Sequence, residues 1–239
     1  MATEMSAAQH ALSIPEIVST IFQCLHSSSV PYARVWIRNK RTGRRVGRNT
    51  VWHLNRIFFN WGLVNHLWNR EAIHHLWRKP GNPGSINTLH RLFLLVEHNR
   101  RQLYANLVES AVLRTEARQW EHRDILRDVV FPKMKSALLI VVGLGESKRK
   151  KRLCDSVPPL GNNSISSLTV QPSDPCWEDV PRRQLETVLD QIPDVFPNLE
   201  TIMFYYRAEV NRTAMQRLGA RLPRLKHDKY SQLEVVEDK

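Results

Sequence analysis

The sequence predicts an α+β or α/β solenoid class, with a helical N-terminal module followed by alternating strands and helices. Apolar residues recur at helical spacing over residues 12–25 and again over 52–77. A pattern of apolar residue, proline, any residue and apolar residue begins at Phe131, Phe196 and Leu222, and the first two precede strand-like runs. The predicted division is a disordered start over 1–11, a module over 12–80, a linker over 81–87 and a C-terminal region over 88–239.

The first helix of the module is predicted between Leu12 and Leu25. Its apolar stripe consists of Ile14, Ile17, Val18, Ile21, Phe22 and Leu25. Ser13 is placed to cap this helix. Pro15 is tolerated in the first turn, because an amide there has no intrahelical acceptor.

Two more helices are predicted between Trp52 and Trp77. Their apolar residues are Leu54, Ile57, Phe58, Trp61, Val64, Leu67 and Trp68, then Ala72, Ile73, Leu76 and Trp77. Asn69 is placed to cap the second of the two, and Lys79-Pro80-Gly81 ends it. Three short helices bury little among themselves, so this surplus of large apolar residues predicts a partner. The alternative is a three-helix piece packed on its own C-terminal domain.

These residues resemble the F-box in the form common among fungal F-box proteins. Ile14-Pro15-Glu16-Ile17, Ile21-Phe22 and Leu25 look like its opening helix. The residues that look like its closing half are Leu54, Leu63-Val64-Asn65, Trp68, Ala72, Ile73, Leu76-Trp77-Arg78 and Pro80. The resemblance covers the first third of the chain and implies docking on a Skp-type adaptor of an SCF-type cullin–RING ubiquitin ligase. The adaptor-facing residues that it implies are Leu12, Ile14, Pro15, Ile17, Ile21, Leu63, Val64 and Trp68.

The C-terminal region alternates strands with helices. Strands are predicted near 137–142, 167–170 and 199–204, and the run 103–108 belongs to the same series of short apolar runs. Helices are predicted over 88–100, 118–130, 181–195 and 213–222, with Leu95 among the inward-facing candidates. The order is similar to an irregular leucine-rich repeat region after an F-box, which implies that the repeats hold a protein substrate. A three-layer α/β domain built from the same strands is the alternative.

Basic residues are concentrated in two clusters of a chain whose net charge is +12. The basic insertion, residues 27–50, is predicted to be a mobile loop where F-box helices are usually joined by a short turn. Its basic patch consists of Arg34, Arg38, Lys40, Arg41, Arg44, Arg45 and Arg48, without an acid between them. Trp36 and Trp52 flank this patch and could stack on bases, so nucleic acid is a second class of partner. The alternative is a solvated loop without a binding role, as most runs of charged residues are. The second cluster, Lys148, Arg149, Lys150, Lys151 and Arg152, resembles a nuclear localisation signal.

Composition and motifs exclude several classes. No apolar run approaches the ~20 residues that cross a bilayer, and we expect no membrane partner. The N-terminus lacks the features of a signal peptide. Cys24, Cys154 and Cys176 are odd in number, lie far apart and match no zinc spacing. We therefore expect a reducing compartment, the cytoplasm or the nucleus.

No set of residues in the sequence has a spacing that predicts a catalytic site more strongly than chance would. His66, His74 and His75 lack the spacing of a metal site and are predicted to face solvent. The stretch from Val141 to Gly145 is predicted to be a turn at a strand end. The sequence thus predicts a non-catalytic ligase adaptor without a cofactor. The alternatives are a basic nucleic-acid-binding protein and an interaction scaffold with a decayed F-box.

Overall fold

The computed structural model describes residues 6–28, 34–38, 45–49, 60–80, 88–116, 123–142, 154–161, 163–173, 181–204, 208–226 and 233–237. The chain divides into two compact units, which we call the N-terminal unit, Met1–Arg78, and the C-terminal unit, Lys79–Lys239.

Three helices are described in the N-terminal unit. They are α1 (Ala7–Ala11), α2 (Pro15–Ser28) and α3 (His66–Arg78), and residues 60–62 are also helical. Helix α1 lies where the sequence predicts a disordered start, and a reciprocal pair of hydrogen bonds between Ser6 and Gln9 caps it. The Ser13 hydroxyl donates to the His10 carbonyl (2.6 Å) at the end of α1, so its predicted role as the cap of α2 is wrong.

The N-cap of helix α3 lies four residues before the predicted cap, Asn69. The Asn65 side chain accepts a hydrogen bond from the Trp68 amide (3.0 Å), which is the geometry of an N-cap. Asn69 lies inside the helix and donates from its side chain to the Gly62 carbonyl (2.9 Å). The predicted capping role of Asn69 is therefore wrong, because the turn over 63–64 separates the helical segments instead.

The core of the N-terminal unit is small and aromatic. Val18 and Phe22 of α2 and Ala72 of α3 are fully buried, and Trp61, Leu67, Trp68 and Leu76 pack against them. The Phe22 ring lies edge-on to Trp61, with 5.3 Å between centroids, and stacks on His75. His75 is buried, so the prediction that it faces solvent is wrong, whereas His66 is exposed.

The basic insertion contains two strands rather than only a loop. Strand β1 (Arg34–Arg38) pairs antiparallel with β2 (Arg45–Asn49), and the register places Arg38 opposite Arg45. These ten residues are therefore paired in a ladder, whereas the sequence predicts a mobile loop over 27–50; residues 29–33, 39–44 and 50 of the insertion lie outside the described residues.

A four-stranded parallel sheet forms the centre of the C-terminal unit. Its strands are β3 (Ser110–Arg114), β4 (Ser136–Val141), β5 (Ser167–Pro172) and β6 (Thr201–Phe204), and their spatial order is the chain order. The register aligns the first residue of every strand with the first residue of its neighbour. Buried residues are continuous over 111–113 in β3, whereas in β5 and β6 they alternate with less buried ones. Met203 of β6 is 39% exposed and is the register partner of the half-buried Thr169, so one face of the sheet is only partly covered at this edge.

The same tight turn occurs three times in this unit, and the first two turns precede β4 and β6. Main-chain hydrogen bonds close the turns from Met134 to Phe131, from Leu199 to Phe196 and from Leu225 to Leu222, and all six side chains are buried. After each of the three turns the next amide donates to the carbonyl of a residue that directly precedes a strand of the sheet, from Lys135 to Glu109, from Glu200 to Ser166 and from Lys226 to Glu200. The apolar-proline pattern is thus a turn that sets the start of a strand.

Short helices and a second, smaller sheet complete the unit. The helices are α4 (Leu89–Leu94), α5 (Arg101–Ala105), α6 (Arg182–Val195) and α7 (Arg212–Arg221), with 3₁₀ turns at His98–Arg100 and Arg123–Leu126. Strand β7 (Ala208–Asn211) pairs in parallel with β8 (Leu233–Val236). Arg217 of α7 forms two hydrogen bonds with the Asp190 carboxylate of α6, and Arg221 pairs with Asp194.

The predicted fold class, an F-box-like helical module followed by a leucine-rich-repeat-like solenoid, is wrong. The structure is α+β, with α-helices in both units and a four-stranded parallel sheet in the C-terminal unit. The strands begin at Ser110, Ser136, Ser167 and Thr201, and their connections differ in kind. The first connection contains a 3₁₀ turn, the described part of the second contains no helix, and the third contains the long helix α6. A solenoid needs similar units that stack, whereas in the described parts of these connections only the turn repeats.

Individual elements were predicted with mixed success. Strands β4, β5 and β6 and helices α6 and α7 lie where the sequence predicts them. The predicted helix over 88–100 ends at Leu94, and Leu95 is 85% exposed rather than inward-facing. Only the 3₁₀ turn Arg123–Leu126 is helical in the described part of 118–130. Within the described residues, no helix has the length and hydropathy needed to span a membrane.

Candidate functional site: an exposed apolar face

Four large apolar residues are exposed in the described part of the N-terminal unit. They are Leu12 (39%), Ile17 (38%), Leu63 (70%) and Val64 (60%), and we call them the apolar face. All four belong to the set that the F-box resemblance implies. Single exposed apolar residues are common on protein surfaces. Four of them at or near the N-terminal ends of two packed helices, α2 and α3, require an explanation.

The first part of the face lies around the start of α2. Leu12 occupies the turn after α1, where its amide donates to the Ala8 carbonyl (3.0 Å). The Ile14 amide donates to Ala11 (3.1 Å), which closes the turn and directs the chain into α2. Ile17 then lies one position before the buried Val18, so it occupies the outer side of the helix.

The second part is the turn before α3. The amides of Leu63 and Val64 donate to the carbonyls of Asn60 and Trp61, both at 3.1 Å. The Asn69 side chain holds the Gly62 carbonyl, and Asn65 caps the helix that follows. The turn is therefore held from both sides while its two apolar side chains remain exposed.

One hydrogen bond connects the two parts. The indole Nε1 of Trp68 donates to the Leu12 carbonyl (3.1 Å), and its ring packs edge-on against Phe22 (5.8 Å) and Trp61 (5.5 Å). Trp68 is half-buried and serves the unit's own structure, whereas the resemblance implies that it faces a partner. Asn65 and Asn69 are positioning residues that the sequence reasoning missed or misassigned. A signal for Asn65 was present, since Asn is a preferred cap and Trp68 follows it by three residues.

The remaining predicted residues border the apolar face. Pro15 is exposed, and Ile14 and Ile21 are half-buried. Fully burying a large apolar side chain contributes ~1.5–3 kcal/mol. The exposed portions of the four face residues together correspond to about two whole side chains, or roughly 3–6 kcal/mol. Association costs ~4–15 kcal/mol, so a partner would also have to contact these bordering residues.

No family model, curated protein or solved structure matches this chain. The candidate site therefore rests on the exposure of these residues and on the resemblance of the sequence to the F-box.

The other predicted sites are only partly described. Arg34, Arg38, Arg45 and Arg48 lie in the β1–β2 ladder, while Lys40, Arg41 and Arg44 of the basic patch lie outside the described residues. The predicted localisation cluster, Lys148, Arg149, Lys150, Lys151 and Arg152, also lies outside them. Across the described ranges, no three His, Cys, Asp or Glu side chains converge as metal ligands would.

Proposed function

We propose that the chain is a non-catalytic adaptor subunit of an SCF-type cullin–RING ubiquitin ligase. The N-terminal unit binds a Skp-type adaptor through the apolar face. One observation supports this proposal above the others: Leu12, Ile17, Leu63 and Val64 are exposed large apolar residues, and each occupies a position that the F-box resemblance assigns to the adaptor.

The packing of the unit supports a protein partner. Phe22 and Val18 are already satisfied in the core, so the exposed residues are surplus to the stability of the unit. The turn before α3 is fixed by Asn65 and Asn69. Little conformational entropy would therefore be lost when a partner covers this turn. A prearranged apolar surface is the kind that binds another folded protein.

In this proposal the C-terminal unit holds a protein substrate. The adaptor raises the local concentration of substrate lysines near a charged ubiquitin-conjugating enzyme and contributes no reacting group. The chain then needs two separate binding surfaces and no active site.

Co-purification of the full chain with a Skp-type adaptor tests the proposal. Ile17→Asp and Leu63→Asp each place a charge in an apolar interface and should abolish co-purification. Leu95→Asp is the matched control, because it makes the same change at an exposed leucine of the C-terminal unit and should bind like wild type. Because these side chains are exposed, all three variants should unfold at the temperature of wild type.

Two results would contradict the proposal. One is an adaptor that fails to co-purify with the wild-type chain. The other is equal binding by wild type, Ile17→Asp and Leu63→Asp, which would leave a scaffold with a decayed F-box. Deleting residues 29–49 should leave binding intact, because none of the apolar face lies in that segment.

A further inference from the structure

The β1–β2 ribbon of the basic insertion places its arginines in a pattern that the sequence alone does not show. The register pairs Trp36 with Gly47 and Arg38 with Arg45. Alternate residues of a strand belong to the same face, and register partners share that face. Positions 34, 36, 38 and 45 therefore belong to one face, which we call the cationic face.

The opposite face of the ribbon has a different composition. Val35, Ile37 and Val46 belong to it, and Arg48 is its one charged member among the ten strand residues. The ribbon is thus amphipathic, with three of its four arginines on the cationic face. A solvated loop gives no reason for this segregation.

We propose that the cationic face binds single-stranded nucleic acid. Arg34 and Arg38 come two positions before and after Trp36 on one strand, so cations alternate with an aromatic residue along the same face. Arginine binds phosphate oxygens through a planar pair of donors. An aromatic ring stacks on bases of any sequence. The alternation therefore matches a strand whose phosphates and bases are both accessible.

Two positions in the register strengthen this proposal. Gly47, the partner of Trp36, has no side chain that could pair across the strands with an indole. Arg38 and Arg45 are directly opposite, and like charges in that position destabilise a ladder unless an anion neutralises them. A phosphate bound there removes this repulsion.

Other polyanions fit the cationic face less well. An anionic bilayer favours apolar residues beside the cations, whereas Val35, Ile37 and Val46 belong to the opposite face. Duplex nucleic acid keeps its bases stacked, so Trp36 would contribute nothing by stacking. An acidic protein would satisfy the arginines but not the aromatic position between them.

The inference is independent of the adaptor proposal. The cationic face lies within 34–49, and the apolar face consists of Leu12, Ile17, Leu63 and Val64. Variants of one surface leave the other unchanged, so each proposal can fail alone.

Fluorescence anisotropy of a labelled oligouridine with the full chain tests the inference. Arg38→Gln and Arg48→Gln form a matched pair, since each removes one positive charge from the ribbon but on opposite faces. Arg38→Gln should weaken binding and reduce the slope of log affinity against log salt by about 0.7. Arg48→Gln should change that slope less. Trp36→Leu should weaken binding about tenfold, and Trp36→Phe should restore most of it, because the ring is retained.

Several results would overturn the inference. Equal losses in Arg38→Gln and Arg48→Gln would indicate general attraction to a basic chain, and unchanged binding in Trp36→Leu would remove the stacking role. Tighter binding to a duplex of equal length, or to phosphatidylserine vesicles, would assign the face to another partner. Thermal unfolding of the same variants shows whether they are folded. Arg38→Lys keeps the positive charge and should therefore keep the salt slope; a reduced slope in this variant would also contradict the inference.

Discussion

The indole Nε1 of Trp68 donates a hydrogen bond to the main-chain carbonyl of Leu12, and the two residues lie 56 positions apart. This bond ties the turn that carries Leu12 to the first turn of α3. Since Leu63 and Val64 directly precede the cap of α3, one side chain holds both parts of the apolar face in place.

Replacing Trp68 with Phe should separate this bond from the packing of the ring. Trp68→Phe keeps an aromatic ring against Phe22 and Trp61 but has no donor for Leu12. We expect a loss of about 1 kcal/mol in unfolding free energy, the usual net value of one hydrogen bond. Trp68→Ala should cost ~3–5 kcal/mol, since it also removes the packing. Equal losses in chemical denaturation of the two variants would contradict a separate role for the bond.

Aspartate substitutions should distinguish the roles of Asn65 and Asn69. The Asn65 side chain accepts a hydrogen bond at a helix N-terminus, so Asn65→Asp should be neutral or stabilising by ~0.3–1 kcal/mol. The Asn69 side chain donates to a carbonyl, and a carboxylate cannot, so Asn69→Asp should cost about 1–2 kcal/mol. Hydrogen exchange of the α3 amides measures both, and the opposite ranking would restore Asn69 as the cap.

The elements that sequence patterns predict well have local causes. Helix α6 keeps Leu185, Val188, Leu189 and Ile192 buried at helical spacing, and the turns at Phe131 and Phe196 fix the strands that follow. Strand β3 was not predicted, because the apolar run 103–108, which precedes it, was included in the series of strand-like runs instead. That run overlaps the end of α5, in which Leu103 is 58% exposed, while the shorter run Ala111–Leu113 is buried by tertiary packing.

The candidate surfaces show a similar division. The resemblance to the F-box, and not helical periodicity, points to Leu12, Ile17, Leu63 and Val64. Periodicity places Ile17 and Val64 in the apolar stripes and does not include Leu12 or Leu63. Periodicity cannot say which apolar residues the unit uses itself, so the internal role of Trp68 was missed. The cationic face needed the strand register, since shifting a ladder by one residue exchanges its faces.

Gln184 should be a structural residue of the C-terminal unit. It is 1% exposed, and its side-chain amide donates to the carbonyls of Val142 (2.7 Å) and Cys154 (2.9 Å). Gln184→Met leaves the buried bond to Val142 and the part-buried bond to Cys154 without their donor and should cost ~1–3 kcal/mol. Gln184→Glu puts a carboxylate against both carbonyls and should cost ~3 kcal/mol or more.

The matched control for Gln184 is Gln102. Its side chain also bonds main-chain groups, those of Val130, at 2.8 and 3.0 Å, but these bonds are exposed. Water can replace the lost partner there, so Gln102→Met should cost less than ~1 kcal/mol. Thermal unfolding compares the variants, and equal losses at the two positions would show that burial of the Gln184 bonds has little effect.

Alanine should be tolerated at Gly62 and rejected at Gly161. A Cβ on Gly62 would lie 3.4 Å from the Ala72 side chain, which is an ordinary contact. A Cβ on Gly161 would lie 2.5 Å from the Arg127 carbonyl oxygen and closer still to that of Val129. Main chain cannot rotate away as a side chain can, and the Gly161 amide is also held by the Leu126 carbonyl (2.9 Å). Gly161→Ala should therefore lose ~1–3 kcal/mol or more in chemical denaturation, against a change near zero for Gly62→Ala. A Gly161→Ala chain as stable as wild type would mean that the turn from Leu126 to Val129 moves to admit a methyl group.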